Sequence, residues 1–290
     1  MAELAKTLDL LIKMHESADV QEMWDEKHPA YMSKAAWDAF KNSMHKAMRK
    51  EFGEGSGGEM EKKGDRPPKM ASFGSSSRLI YQLSSEKPGF HFEKKLPTTV
   101  GGTANLDGYA DKGADGYVFV EAKCREPYGA KNKKVKDAYK GCYTFLSKQT
   151  PLVCVMGKAD EKKNMPVEFF WKAMRIERLD LKQMLCHLLG IATAVLQGTL
   201  EQKPIRFLYL LYNPTKLALP QTKEATAILK IYNRVCVECG SIDFRELFGA
   251  LLRFLRDEKK VGKMTDEKLA AVVQSFDFRL CDQTSYSELL

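Results

Sequence analysis

The spacing of apolar positions changes twice along this chain. In the first 52 residues Leu4, Leu8 and Leu11 make one stripe, and Trp37, Phe40, Met44 and Ala47 make another, at the intervals of a single helix face. The spacing predicts an N-terminal helical arm over residues 1–52. From residue 53 to 76 the chain reads GEGSGGEMEKKGDRPPKMASFGSS. Such a Gly, Ser, Lys and Pro mixture is expected to form a linker, because it offers little apolar surface to bury. Residues 77–290 then mix periods of two and of 3.6. A short helix (RLIYQLSS) precedes three strands (FHFEKKL, ANLDGYA and YVFVEAKC) and a helix over 135–146. Strands at 152–156 and 205–212 enclose a long helix near 179–200. Further helices start near Thr222 and at Asp243, which has Glu246 three residues on, and SFDFRLC closes the pattern as a strand. The expected fold class is α/β.

Composition narrows the function classes. No run of about 18 apolar residues occurs, and charges interrupt the first twenty positions every few residues. Neither a membrane span nor a signal peptide is expected, so the expected location is the cytoplasm and no membrane partner is foreseen. The 7 cysteines are odd in number and scattered, which argues against a disulfide framework. Cys236 and Cys239 form one C-x-x-C with no second pair at zinc-site spacing, and are read as core or helix-end residues. A net charge of +8 favours an anionic partner. The densest basic stretch is Lys131, Lys133, Lys134, Lys136 and Lys140. It reads equally as a solvated face or as a phosphate-binding rim.

Candidate chemistry concentrates in Asn105–Glu126, NLDGYADKGADGYVFVEAKCRE. DKGADG between two apolar runs is hairpin chemistry. Pairing outward from Gly113 and Ala114 sets Asp107 opposite Val120 or Glu121, close enough for two carboxylates to share a cation. Alternation along the next strand puts Tyr117, Phe119, Glu121 and Lys123 on one face and Val118, Val120, Ala122 and Cys124 on the other. Hard divalent ions take oxygen ligands, which Asp107, Glu121 and the Ala122 carbonyl can supply. A lysine beside them suits phosphodiester cleavage, which needs an activated water and charge stabilisation on the phosphoryl group.

These residues resemble the PD-(D/E)xK restriction-endonuclease-like superfamily: Asp107 matches its first acid and Glu121-Ala122-Lys123 its E-x-K. Leu106 stands where that signature has Pro. The resemblance runs over about Arg78–Tyr212, with NLDGY, VEAKCREPY and QMLCHLLG most similar to an uncharacterised bacterial restriction-endonuclease-like family, Glu126 and Tyr128 included. It implies a mixed central sheet flanked by helices, Mg²⁺ (or Mn²⁺) as cofactor, and hydrolysis of phosphodiester bonds, with DNA the expected substrate and a homodimer an allowed assembly. Members often carry a further acid ahead of the motif. Glu93 fits that role as a second metal ligand or as a group positioning Lys123, and otherwise reads as an exposed strand residue; its parity opposes that of Phe90, Phe92 and Leu96. Members also place a Gln and an aromatic one turn apart on a later helix. Here Gln183 and His187 take those places, on a polar face shared with Asp180 and Gly190 that lines a cleft or meets solvent. Lys131, Lys133, Lys134 and Lys136 complete the expected nucleic-acid contacts. The competing expectation is a module of the same fold that binds nucleic acid or assembles without cutting.

Overall fold

The alternating apolar positions between residues 90 and 123 become neighbouring strands, since period-two patterning presents one face to each of two covering layers. The computed structural model describes residues 2–16, 24–54, 58–62, 64–129, 134–217, 219–259 and 261–290. In chain order the helices are α1 (Ala2–Glu16), α2 (Lys34–Ser43), α3 (Lys46–Gly53), α4 (Ser76–Ser84), α5 (Lys140–Gln149), α6 (Leu181–Leu196), α7 (Lys223–Ser241), α8 (Phe244–Arg253), α9 (Asp266–Gln274) and α10 (Tyr286–Leu289). The strands are β1 (Phe90–Thr98), β2 (Gly102–Asp111), β3 (Tyr117–Lys123), β4 (Lys134–Lys136), β5 (Leu152–Met156), β6 (Asn164–Trp171), β7 (Met174–Ile176), β8 (Ile205–Leu211) and β9 (Phe276–Cys281).

The main sheet is mixed and runs β1-β2-β3-β8-β9. The first three strands pair antiparallel, and β8 and β9 add in parallel. Both faces are covered, as parallel strands require. Tyr117 and Phe119 of β3 join one core with residues of α6 and α8, while Val118, Val120, Ala122 and Cys124 join another with α4 and the N-terminal helices. The face assignment expected for β3 therefore holds along its length. Two glycines set how closely the helices approach. A Cβ on Gly190 of α6 would stand 2.6 Å from the Ala104 Cβ, and one on Gly108 of β2 would stand 2.2 Å from Phe90 and 2.8 Å from Ile80. Gly190 thus faces the sheet, not the cleft face expected for it.

A second sheet of β4, β6 and β5, with β7 on β6, packs on the α6 side. Its β5 is the strand expected at 152–156, whereas β6, where Met165, Val167, Phe169 and Trp171 are buried at alternate positions, is not among the expected strands. The helix expected from Val135 starts at Lys140, since residues 134–136 are drawn into β4 against Asn164–Pro166. The N-terminal helices dock on the main sheet through Leu8, Ile12, Trp37, Met44 and Phe52.

The linker expectation for 53–76 is corrected over the described part of that stretch. Met60, Met70 and Ala71 are buried in the same core, Met70 N–H donates to the Glu59 carbonyl at 3.1 Å, and Met32 N–H donates to the Ala71 carbonyl at 3.0 Å. A few apolar anchors and backbone pairings suffice to fix a segment whose average composition suggests none.

Candidate active site

The β2–β3 hairpin turns through Gly113 and Gly116, both at positive φ (63° and 96°), which glycine adopts without steric cost. Gly108 pairs with Val120, so the register carries Asp107 to the position across from Glu121, not Val120. On the other side Phe92↔Gly108 and Lys94↔Leu106 flank Glu93, placing it across from Asp107. Three acids from three adjacent strands therefore stand at one level of the sheet. Glu93 sits at φ 56°, a left-handed conformation that costs a non-glycine residue about 1 kcal/mol or more. The kink reverses the faces along β1: Phe90 and Phe92 enter one core and Leu96 the other. Glu93 is thus not opposed to all three, as simple alternation suggests, and it points into the site.

Glu93, Asp107 and Lys123 line one cavity of about 440 Å³, together with His187 and Gln183 of α6 and Ser75, Ser76 and Ser77 at the start of α4. Glu121 lies just behind this surface and is fully buried. Lys123 Nζ is 2.5 Å from Glu121 Oε1, and His187 Nε2 is 2.9 Å from Glu121 Oε2. These contacts are close in distance, yet among the described residues neither Glu121 oxygen nor either His187 ring nitrogen completes a hydrogen bond of good geometry. Asp107 Oδ2 accepts from the Ala122 N–H at 2.7 Å, tying the first acid to the strand that bears the second.

The protonation states follow from this crowding. Burial and then the charge of Glu121 push the Asp107 carboxyl well above the usual carboxylate range. Burial, then Glu59 and Glu121, raise Glu93 to about 7. Burial also opposes ionisation of Glu121, but Lys123 and His187 outweigh it and hold that carboxylate below its ordinary range. Lys123 stays protonated despite burial, because Glu121, Glu126 and Asp107 surround it. Asp107 and Glu93 are thus raised by burial first and by neighbouring acids second, while Glu121 stays ionised between Lys123 and His187.

Several neighbours escape sequence reading. Glu59 enters from the stretch expected to be a linker and binds Lys69 Nζ at 2.9 Å and Ser77 Oγ at 3.0 Å. Nothing in the composition marks it. Arg125 and Glu126 also line the cavity. Glu126, by contrast, is among the residues that the sequence resemblance includes, and its Oε2 accepts from the Cys124 N–H at 2.8 Å. His187, expected among nucleic-acid contacts, is buried against Glu121, whereas Gln183 lies in the cavity wall; Asp180 caps α6 by accepting from the Gln183 N–H at 3.1 Å.

Of the basic stretch, Lys134 and Lys136 line a second cavity of about 430 Å³ with Lys182. The two cavities share Thr103, Gln183 and Cys186 in their walls, so they lie side by side. Lys134 Nζ is also 3.1 Å from Asp160. Lys131 and Lys133 lie outside the described residues.

The donors at the acid level are carboxylate oxygens, the chemistry that Mg²⁺ and Mn²⁺ accept. Among the described residues no three His, Cys, Asp or Glu side chains stand together as a ready-made ligand set. A hard ion held partly by water and phosphate needs fewer protein ligands than that. No membrane-crossing helix occurs either, none among the described residues being long and apolar enough. No family model matches the chain, and neither a curated protein nor a solved structure matches it.

Proposed function

We propose that this protein is a divalent-metal-dependent nuclease of the PD-(D/E)xK type on a restriction-endonuclease-like core, hydrolysing phosphodiester bonds, with DNA the expected substrate. The observation that carries the reading is the meeting of Glu93, Asp107 and Lys123 in one cavity wall, with Glu121 directly behind them. Asp107, Glu121 and the Ala122 carbonyl are the groups that would hold Mg²⁺ or Mn²⁺, with Glu93 as a further acid. The ion, when bound, supplies Lewis-acid polarisation of the phosphate and a more acidic water. Lys123, kept charged by its acidic neighbours, orients that water or offsets charge on the phosphoryl oxygens. The Ala122 N–H fixes Asp107, and His187 fixes Glu121. Lys134, Lys136 and Gln183 line the neighbouring cavity, along which a phosphate backbone would run.

One observation favours the non-catalytic alternative: Lys123 and His187 both engage Glu121, a closed set that also serves as a buried structural network. Calorimetry with Mn²⁺ and incubation with circular plasmid separate the two. The nuclease reading expects metal binding that is lost in Asp107→Ala, and nicking that needs the metal and Lys123. A wild type that binds plasmid and leaves it intact with Mn²⁺ present sinks it.

A further inference from the structure

The inward face of α1 is polar where a docking helix is ordinarily apolar. Asp9 and Lys13 are buried beside Leu8 and Ile12, with Asp9 only 3% exposed, and Glu16 turns inward one turn on to Arg78 Nη2 at 2.8 Å. Burying charge in a docking surface is expensive unless each charge meets a partner. Asp9 meets Arg125: its Oδ2 accepts from Arg125 Nη1 at 2.7 Å, and the Ser72 hydroxyl lies 3.3 Å from the same nitrogen. The fold makes room for this contact, because a Cβ on Gly74 would stand 1.7 Å from Asp9 Oδ1. Arg125 follows the E-x-K strand by two residues, and its side chain, still 32% exposed, borders the same cavity as Lys123 and Asp107.

We propose that Arg125 contacts the substrate's phosphate beside Lys123, and that Asp9 of α1 is the positioning residue that aims it, so that the N-terminal helix is a working part of the site. The inference rests on the nuclease reading for its purpose. Its geometry is that of a guanidinium held by Asp9, Ser72 and Tyr31 while it lines the cavity that would receive the phosphate. A planar fork held by a carboxylate is preorganised for phosphate in a way a lysine in the same place is not. Burial keeps the Asp9 carboxyl above its ordinary range, to about 6, in part against the pull of Arg125.

The test compares Asp9→Asn, Arg125→Ala and Arg125→Lys with Glu16→Gln, which removes the α1 charge that pairs with Arg78 instead of Arg125. Binding of a labelled oligonucleotide is measured in chelator across a range of salt, and cleavage with Mn²⁺ separately, after melting curves establish that each variant is folded. Arg125→Ala should lower the slope of log K against log salt by about one unit. Arg125→Lys should restore the slope but not the rate. Asp9→Asn should leave the slope near wild type while lowering kcat by roughly tenfold or more, as loss of an orienting partner does. Glu16→Gln should change neither. Wild type that binds but does not cut would remove the nuclease reading and leave the slope test standing. An unchanged slope in Arg125→Ala, no binding by wild type, or equal losses in Asp9→Asn and Glu16→Gln would overturn the proposal and leave Asp9 a docking residue only.

Discussion

His187 Nε2 stands 2.9 Å from Glu121 Oε2, and both residues are almost completely withdrawn from solvent. The histidine comes from α6, and Gly190 three residues on lets that helix sit against β1 and β2. A residue whose sequence position suggests a phosphate contact is thereby turned into the partner of a buried carboxylate.

His187→Ala should therefore act through Glu121. Leaving that carboxylate with Lys123 alone should cost about 1–3 kcal/mol of stability, and metal affinity should fall because the acid is no longer held in place. Denaturant unfolding and Mn²⁺ calorimetry check this. A variant of full stability whose only defect is a shallower salt dependence of nucleic-acid binding would return His187 to the role of backbone contact.

Glu93 gives the metal-free protein a pH dependence of definite sign. Its carboxyl ionises near 4.5 when unperturbed and is raised to about 7 in the fold by burial and by the charges of Glu59 and Glu121. Between those values the folded chain holds a proton that the unfolded chain has lost, so stability falls as pH rises through the window. Asp107, also raised, adds in the same direction. Unfolding curves taken in chelator across this range should show the decline, Glu93→Gln should flatten part of it, and Mn²⁺ should offset it near pH 7. A Glu93→Gln protein with the wild-type profile would mean that this acid does not feel its neighbours.

The groove lysines should report on substrate path. Lys134 and Lys136 border the cavity next to the acid site, so each that meets a phosphate should contribute about one unit to the salt slope. Lys136→Ala should weaken oligonucleotide binding of every sequence alike and leave Mn²⁺ affinity unchanged. If Lys134→Ala and Lys136→Ala together bind like wild type from low to moderate salt, the backbone approaches from another side.

Much of the site was legible because it lies on one hairpin. Local spacing puts Asp107 near Glu121 and alternation puts Lys123 on the same face, and both signals survive into three dimensions. What stayed hidden depends on tertiary contacts or on a break in regular geometry. Simple alternation misplaced Glu93 relative to Leu96, because one left-handed residue reverses the faces of β1. Glu59 joins the site only through the fold of its own segment, and the partners that hold Glu59 and Arg125, Ser77 and Asp9, are distant in sequence. Of the second sheet only β5 is legible: Pro166 weakens the alternating signal of β6, and β4 and β7 are three residues each.

Gly190 offers the most direct test of how the fold sets the site. A methyl group there would meet the Ala104 Cβ at 2.6 Å and the Leu96 Cβ at 3.1 Å, both too close to be absorbed without movement. Gly190→Ala should push α6 away from β1 and β2, costing about 1–3 kcal/mol as overpacking does. A helix shifted outward carries His187 with it and loosens its grip on Glu121, so metal affinity should fall together with stability. Trimming the opposing residue in Gly190→Ala/Ala104→Gly should recover part of both losses, because the two Cβ atoms are in direct contact and their effects cannot be additive. Thermal unfolding and Mn²⁺ calorimetry on the two single variants and the double variant measure this coupling. Strict additivity, or a loss of stability with metal affinity intact, would show that the seating of α6 on the sheet does not control the position of Glu121.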